Sequence, residues 1–359
     1  MWPMYLTFGV ALIGAAVSTP AVRALSWRLG FVDKPAARKV HSKATPLLGG
    51  AAVAIGMLVA MVVGANLGLP RPGAGTTLGL FTALLLGLID DRVGLGPGSK
   101  ITGQLIAGGW FVLEGHAAHL TGLFPADVFL TLFWVVALMN AINFLDNMDG
   151  IAAGIGAVAG LSFAVLAMRM GDTFGAILGA VLAGACGGFL LFNFSPASIF
   201  LGDTGSLLVG AALARLSLGA THGVAHGAAH GAGFARLGLV PFPGTADPVA
   251  TVAALLILAY PVFDITFVTA VRLLEGRKIY QGGRDHTTHR LDGLLKDHRA
   301  TALVVYALCL VLSGIALAVH ASGAAPVGLA VAAGTGVIFL GLGLGLARVA
   351  ARPPQATPR

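Results

Sequence analysis

Apolar runs recur along this chain near residues 4–20, 46–68, 75–89, 101–118, 126–142, 150–168, 173–192, 204–220, 249–271, 300–320 and 324–347. A helix needs about 20 residues to cross a hydrocarbon core of about 30 Å, so the pattern predicts eleven transmembrane helices. The third and fifth runs are short and the fourth contains Glu114, which leaves ten spans and one re-entrant segment as the alternative. No small-residue cleavage site follows the first run, so it reads as a span rather than a signal peptide. The expected architecture is an all-α, polytopic membrane bundle, with one transmembrane domain over 1–348 and a short polar tail over 349–359.

Composition removes the soluble alternative. The 359 residues are 57% hydrophobic and 10% charged, whereas a soluble domain carries roughly a quarter charged residues. Cys186 and Cys309 both lie in apolar runs, form no metal-ligand spacing and read as packing residues.

The cations give an orientation. Segments 21–45, 90–100, 272–299 and 348–359 together hold 18 of the 22 lysines and arginines. With eleven spans these segments share one side, leaving Arg71, Arg169, Arg215 and Arg236 for the other. Cytoplasmic loops are the basic ones, so the N-terminus is expected outside and the C-terminus inside. The net charge of +7 then follows from topology and an anionic leaflet or substrate, with no need for nucleic acid.

The carboxylates carry the chemistry. Asp33, Asp90, Asp91, Asp146, Asp149, Asp203, Glu275, Asp285, Asp292 and Asp297, ten of the 15 acidic residues, fall on the basic side. Five of them, Asp90, Asp91, Asp146, Asp149 and Asp203, stand at span ends, where a buried carboxylate is costly unless paired or bound to a cation. One such residue is ordinary capping. Five beside Lys and Arg fit a divalent-cation and phosphate site, because hard oxygen ligands select Mg²⁺ or Mn²⁺ and substrate phosphates complete the shell. Phosphoryl transfer needs mainly positioning and charge stabilisation, which a metal with Lys and Arg supplies. A site at the membrane boundary suits one soluble phosphorylated substrate and one lipid better than it suits midplane transport.

Five blocks then carry a resemblance. They are Lys34-Pro35-Ala36-Ala37-Arg38-Lys39-Val40-His41 with Thr45-Pro46-Leu47-Leu48-Gly49-Gly50; Asp90-Asp91-Arg92 with Lys100 and Gln104; Asn140 to Gly150, containing Asn143, Asp146 and Asp149; Phe192-Asn193 through Phe200-Leu201-Gly202-Asp203-Thr204-Gly205-Ser206; and Arg284-Asp285-His286-Thr287-Thr288-His289-Arg290-Leu291. In this order the chain resembles the polyprenyl-phosphate N-acetylhexosamine-1-phosphate transferases, of the glycosyltransferase family 4 type. The eleven spans match the branch that uses UDP-N-acetylglucosamine.

The resemblance implies that undecaprenyl phosphate attacks the sugar-side phosphorus of a UDP-N-acetylhexosamine, giving a polyprenyl-diphospho-sugar and UMP at the start of a cell-surface glycan. It implies a bacterial inner-membrane protein with a cytoplasmic site, and it allows a homodimer. By the same resemblance Asp203 and Asn143 hold Mg²⁺, with Mn²⁺ as substitute. Asp90 and Asp91, beside Lys100, handle the lipid phosphate. Lys43, Asp146, Asp149 and Asn193 bind the nucleotide substrate, with the Phe200 ring on uracil, and His286, His289 and Arg290 act on the diphosphate. A phosphate monoester has a second pKa near 6 and little proton to lose at neutral pH. Asp90 and Asp91 therefore read either as proton acceptors or as carboxylates that orient the phosphate and organise the metal.

Among the glycines, Gly202 and Gly205 are expected to be associated with the site, and the others with helix packing. The last block departs from the common His-x-His-His-Arg-Leu form, with Thr288 standing for one histidine. A threonine hydroxyl donates one weaker hydrogen bond than the imidazole it replaces. The chain also lacks the histidine run of the pentapeptide-muramoyl branch. His222, His226 and His230 at four-residue spacing read as a glycine-rich loop rather than a metal site. Asp264, in Pro261-Val262-Phe263-Asp264, reads as paired inside the bundle or lining a lipid groove. Two other classes fit parts of the pattern: a membrane transporter, which would place carboxylates at mid-membrane, and a non-catalytic lipid-phosphate binder.

Overall fold

The computed structural model describes residues 2–33, 44–221, 246–280 and 283–349. They form thirteen helices and one two-stranded ribbon. In order these are α1 (Trp2–Leu29), β1 (Val32–Asp33), β2 (Thr45–Pro46), α2 (Gly49–Asn66), α3 (Ala74–Val93), α4 (Pro97–Leu113), α5 (Phe124–Leu145), α6 (Ile151–Arg169), α7 (Thr173–Asn193), α8 (Gly202–Thr221), α9 (Pro248–Ile257), α10 (Ala259–Leu274), α11 (Thr287–Leu295), α12 (His298–Ser322) and α13 (Ala325–Ala347). The protein is a multi-pass, all-α membrane bundle. Nine of the described helices are long and apolar enough to cross a membrane.

Two predicted spans differ in detail. The run at 249–271 forms two helices, α9 and α10, that meet at 65°. Pro261 explains the break. It has no N–H for the carbonyl four residues earlier, that of Ile257, the last residue of α9. The fourth run forms α4, which is not among those nine helices. It starts at Pro97, a favoured first-turn residue, and ends after 17 residues with Glu114 as its C-cap.

The core is built around α8, where 18 of 20 residues are buried. It packs against α3 and α5. Small residues allow close approach: a side chain on Gly50 would meet the backbone of Gly205, so the start of α2 sits directly against the start of α8. At the other extreme α13 buries Gly328, Phe339 and Gly343 and turns Val337, Ile338 and Leu340 outward, as a helix in contact with lipid does.

At the end of the bundle opposite the candidate site, Arg215 is not a loop cation. It is buried in α8, its Nε donates to Thr76 Oγ1 at 2.8 Å, and its guanidinium lies over Phe174. The carboxylate of Glu114 accepts from the Thr76 amide and hydroxyl, so this cluster ties α3, α4 and α8 together.

Candidate active site at one end of the bundle

Asp90 lies in the last turn of α3, Lys100 in the first turn of α4, Asn143 in the last turn of α5 and Asp203 in the first turn of α8. Because the helices alternate in direction, these four turns lie at one end. The Lys100 ammonium is 2.5 Å from Asp90 Oδ2, 2.8 Å from Asp203 Oδ2 and 3.5 Å from Asn143 Oδ1. Three oxygens from three helices thus converge on one cation. Asn143 is oriented by its own amide nitrogen, which donates to Asp203 Oδ1 at 2.6 Å and to Ser206 Oγ at 2.9 Å. Its carbonyl oxygen is thereby turned toward the cation.

Asp91 faces a different way from Asp90. Its Oδ1 accepts from the Asp203 amide at 2.9 Å, and its Oδ2 accepts from the Thr204 amide at 2.9 Å and the Thr204 hydroxyl at 2.6 Å. The N-terminus of a helix has unpaired N–H groups and a partial positive charge, and Asp91 satisfies both for α8. Gly202 starts that helix at φ +73°, in the left-handed region that favours glycine. Asp90 Oδ1 accepts from the Leu95 amide at 2.6 Å, which folds the turn after α3 back on the carboxylate.

A second wall hangs on the end of α5. Phe144 has the Arg272 guanidinium 5.4 Å from its ring centre and the His286 ring edge-on at 5.8 Å. Arg272, 1% exposed, pairs through Nε and Nη2 with both oxygens of Asp285 at 2.9 Å. Burial would raise the Asp285 carboxyl, but the Arg272 pairing outweighs it and lowers the pKa to about 2. His286 Nδ1 lies 2.9 Å from Asp264 Oδ2. His289 is buried 6.1 Å from the His286 ring. Burial, with the charges of His286 and Arg284, pushes its pKa down to about 3, so it is neutral at ordinary pH.

Asp146 follows the last residue of α5. Burial first, then the nearby Asp203 and Asp91 charges, hold its carboxyl well above the usual range, against the lowering effect of the Gly202 amide. Asp149 Oδ2 accepts from the Ala197 amide at 2.9 Å. Phe200 is half-buried, and its backbone bridges Pro46 and Gly49.

Three residues of the sequence motifs have backbone or packing partners in the structure. Asn193 is 2% exposed, accepts from the Gly150 amide and donates to the Ile199 carbonyl. Both ends of its amide clamp backbone. Arg290 is taken up by backbone, its Nη1 donating to the carbonyls of Leu346, Ala347 and Val349 and its Nε to the Asp285 carbonyl at 3.3 Å. It caps α13, where unpaired carbonyls attract a cation. Gly205, in the first turn of α8 beside Asp203, also makes room for Leu201 and for Gly50 at the start of α2. Lys43 and the Lys34 to His41 block, with His222, His226 and His230, lie outside the described residues.

Thr288 has a partner that its place in the motif did not reveal. It is fully buried, and its hydroxyl donates to Asn147 Oδ1 at 2.9 Å, joining α11 to the turn that follows α5. Asp264 is paired inside the bundle, as its sequence context suggested.

No group of three or more His, Cys, Asp or Glu side chains among the described residues could hold a metal ion unaided. The donor set here is smaller and oxygen-only, with an amide carbonyl among the donors. That fits a cation such as Mg²⁺, which commonly takes one or two carboxylates and leaves the remaining positions to water and substrate phosphate.

The sequence pattern of Glycosyl transferase family 4 matches residues 74–221, from the first residue of α3 to the last of α8. A Bacillus subtilis relative, described as a probable undecaprenyl-phosphate N-acetylglucosaminyl 1-phosphate transferase, is 32% identical over 317 residues, 86% of this chain and 82% of its own. The chain belongs to glycosyl transferase family 4. A Mycobacterium tuberculosis family member, decaprenyl-phosphate N-acetylglucosaminephosphotransferase, is 32% identical over 83% of this chain and 79% of its own. A Desulforudis audaxviator phospho-N-acetylmuramoyl-pentapeptide-transferase is 35% identical, over 61% of this chain and 76% of its own. The family match covers all four helices that present Asp90, Lys100, Asn143 and Asp203.

Proposed function

We propose that the protein transfers N-acetylglucosamine-1-phosphate from its UDP donor to undecaprenyl phosphate, giving a polyprenyl-diphospho-sugar and UMP, as the first membrane step of a cell-surface glycan. The observation that carries this reading is the convergence of Asp90, Asp203 and Asn143 on the Lys100 ammonium. The relatives named for undecaprenyl- or decaprenyl-phosphate N-acetylglucosamine phosphotransfer, matched over about four fifths of their length, support it.

In this reading Asp203 and Asn143 would hold Mg²⁺, with Mn²⁺ as substitute. When bound, the ion would supply positive charge to the diphosphate oxygens. Lys100 adds a second cation for the same oxygens. Asp90, fixed by the Leu95 amide and paired with Lys100, orients the incoming phosphate, which at neutral pH needs placement more than deprotonation. Asp91 is a positioning residue: it holds the first turn of α8 and with it Asp203. His286 faces the diphosphate from the opposite wall, with neutral His289 beside it. Asp146, Asp149, Lys43 and the Phe200 ring take the uridine.

The site end is also the basic end. Arg23 and Arg28, Arg92 and Lys100, and the cations between Arg272 and Arg299 cluster there. That supports a cytoplasmic site in the bacterial inner membrane, with the N-terminus outside and the C-terminus inside. The outward apolar face of α13 suits lipid or a second copy in a homodimer.

The test is nucleotide release by purified protein in detergent, given undecaprenyl phosphate, Mg²⁺ and one donor at a time. UMP from UDP-N-acetylglucosamine and none from UDP-N-acetylmuramoyl-pentapeptide is expected. UDP as product would mean transfer of sugar without its phosphate, and UMP from the pentapeptide donor alone would move the protein to the muramoyl branch.

A further inference from the structure

Asp264 sits inside α10, and no part of it is exposed. An isolated carboxylate there would be costly, yet its partners are arranged with one purpose. Oδ1 accepts from the Thr287 amide at 2.8 Å and from the Thr287 hydroxyl at 2.5 Å. The Tyr260 hydroxyl is 3.0 Å from the same Thr287 oxygen and completes the chain. Oδ2 is left for His286 Nδ1 at 2.9 Å. The carboxylate therefore fixes both the first residue of α11 and the ring that precedes it.

We infer that Asp264 is a positioning residue for the transfer reaction, acting through His286. Resting on the proposed transferase reading, the inference assigns Asp264 the task of holding the His286 ring with Nδ1 to the rear and Nε2 toward the diphosphate oxygens. An imidazole whose Nδ1–H is held by a carboxylate has one remaining functional atom, Nε2, and its tautomer and direction are set from behind. When the ring carries charge against an anionic substrate, the carboxylate behind it compensates that charge. Phe144 packs edge-on against the ring and limits its tilt. Thr287 and Tyr260 keep Asp264 from rotating toward any other donor.

The other charged groups near His286 have separate tasks. Asp285 is bound by Arg272 and by Arg277 Nη2 at 2.8 Å. His289 is neutral, with Arg284 among the charges that act on it. Asp264 is thus the carboxylate that binds the His286 ring among the described residues.

The experiment compares the full-length wild type with Asp264→Asn, His286→Ala and the double variant, each checked for monodispersity. It reads kcat and KM from UMP release with UDP-N-acetylglucosamine and undecaprenyl phosphate. Asp264→Asn is expected to lower kcat about tenfold or more, as loss of the carboxylate behind a functional imidazole does elsewhere, with KM for the UDP-sugar within about threefold. The double variant should be no slower than His286→Ala alone, because residues acting as one unit are not additive. If Asp264→Asn fails to fold, Thr287→Val removes one donor to the same carboxylate and should lower kcat by about threefold without moving KM. A folded Asp264→Asn with wild-type kcat, losses that add in the double variant, or an unchanged kcat in Thr287→Val overturns the inference alone. A wild type that releases no UMP overturns the transferase reading, and this inference with it.

Discussion

Lys100 Nζ lies 2.8 Å from Asp203 Oδ2, joining the first turn of α4 to the first turn of α8 across 103 residues of chain. The same ammonium touches Asp90, so one cation screens two neighbouring carboxylates that would otherwise repel. Replacing Lys100 by Met keeps the length of the stem and removes the charge. The expected result is a loss of at least a hundredfold in kcat, the scale seen when one stabilising donor is removed from a transition state. Steady-state UMP release checks it, and a Lys100→Met enzyme within tenfold of wild type would refute the role.

Thr288 connects the two walls of the site through Asn147. Thr288→Val should lower stability by about 1 kcal/mol, the net value of one buried hydrogen bond. Thr288→His, which restores the common motif, should cost about 1–3 kcal/mol, because the position is fully buried and a larger ring overpacks it. Thermal midpoints in one detergent would rank wild type first and Thr288→His last. A Thr288→His protein more stable than wild type would show that the site has room for the missing histidine.

Arg290 divides the family expectation from the geometry. As a cap on α13 it should contribute about 0.3–1 kcal/mol, and Arg290→Gln should loosen the C-terminal end while leaving kcat within about threefold. Limited proteolysis and UMP release on the same preparation separate the outcomes. Loss of turnover with an unchanged cleavage pattern would put Arg290 back among the residues that touch substrate.

His289 gives the pH dependence of stability. Its pKa falls from 6.5 to about 3 on folding, so between those values the unfolded chain binds a proton that the folded protein does not. Stability is then fully present above pH 6.5 and is lost as pH falls toward 3. Asp285 adds a loss of the same sign only below its ordinary pKa of 3.8, down to about 2. His289→Gln should flatten the decline between pH 6.5 and 4, read as thermal midpoint against pH. An unchanged slope would mean that other groups carry it.

The apolar helices and the position of Asp90, Asn143 and Asp203 at helix ends were legible because hydrophobic run length and charge placement are properties of the linear chain. The break between α9 and α10 was written in Pro261, but its effect depends on which carbonyl loses its donor. The different directions of Asp90 and Asp91 were not legible. Neighbours on one helix point about 100° apart, and which one meets α8 is decided by packing. Arg290 and Asn193 stood in the right motifs, yet both are committed to backbone groups of distant segments, and no local signal marks such a partner. The Thr288 to Asn147 bond spans 141 residues and was hidden for the same reason.

The central claim is that the cluster formed by Asp90, Lys100, Asn143 and Asp203 is where the phosphate transfer takes place. UMP release by wild type and Asp203→Asn, each over a range of Mg²⁺ concentrations with UDP-N-acetylglucosamine and undecaprenyl phosphate, tests it most directly. The account predicts Mg²⁺-dependent release by the wild type and a loss of at least a hundredfold in the variant at every Mg²⁺ concentration. A monodisperse Asp203→Asn protein that matches the wild-type rate would contradict it.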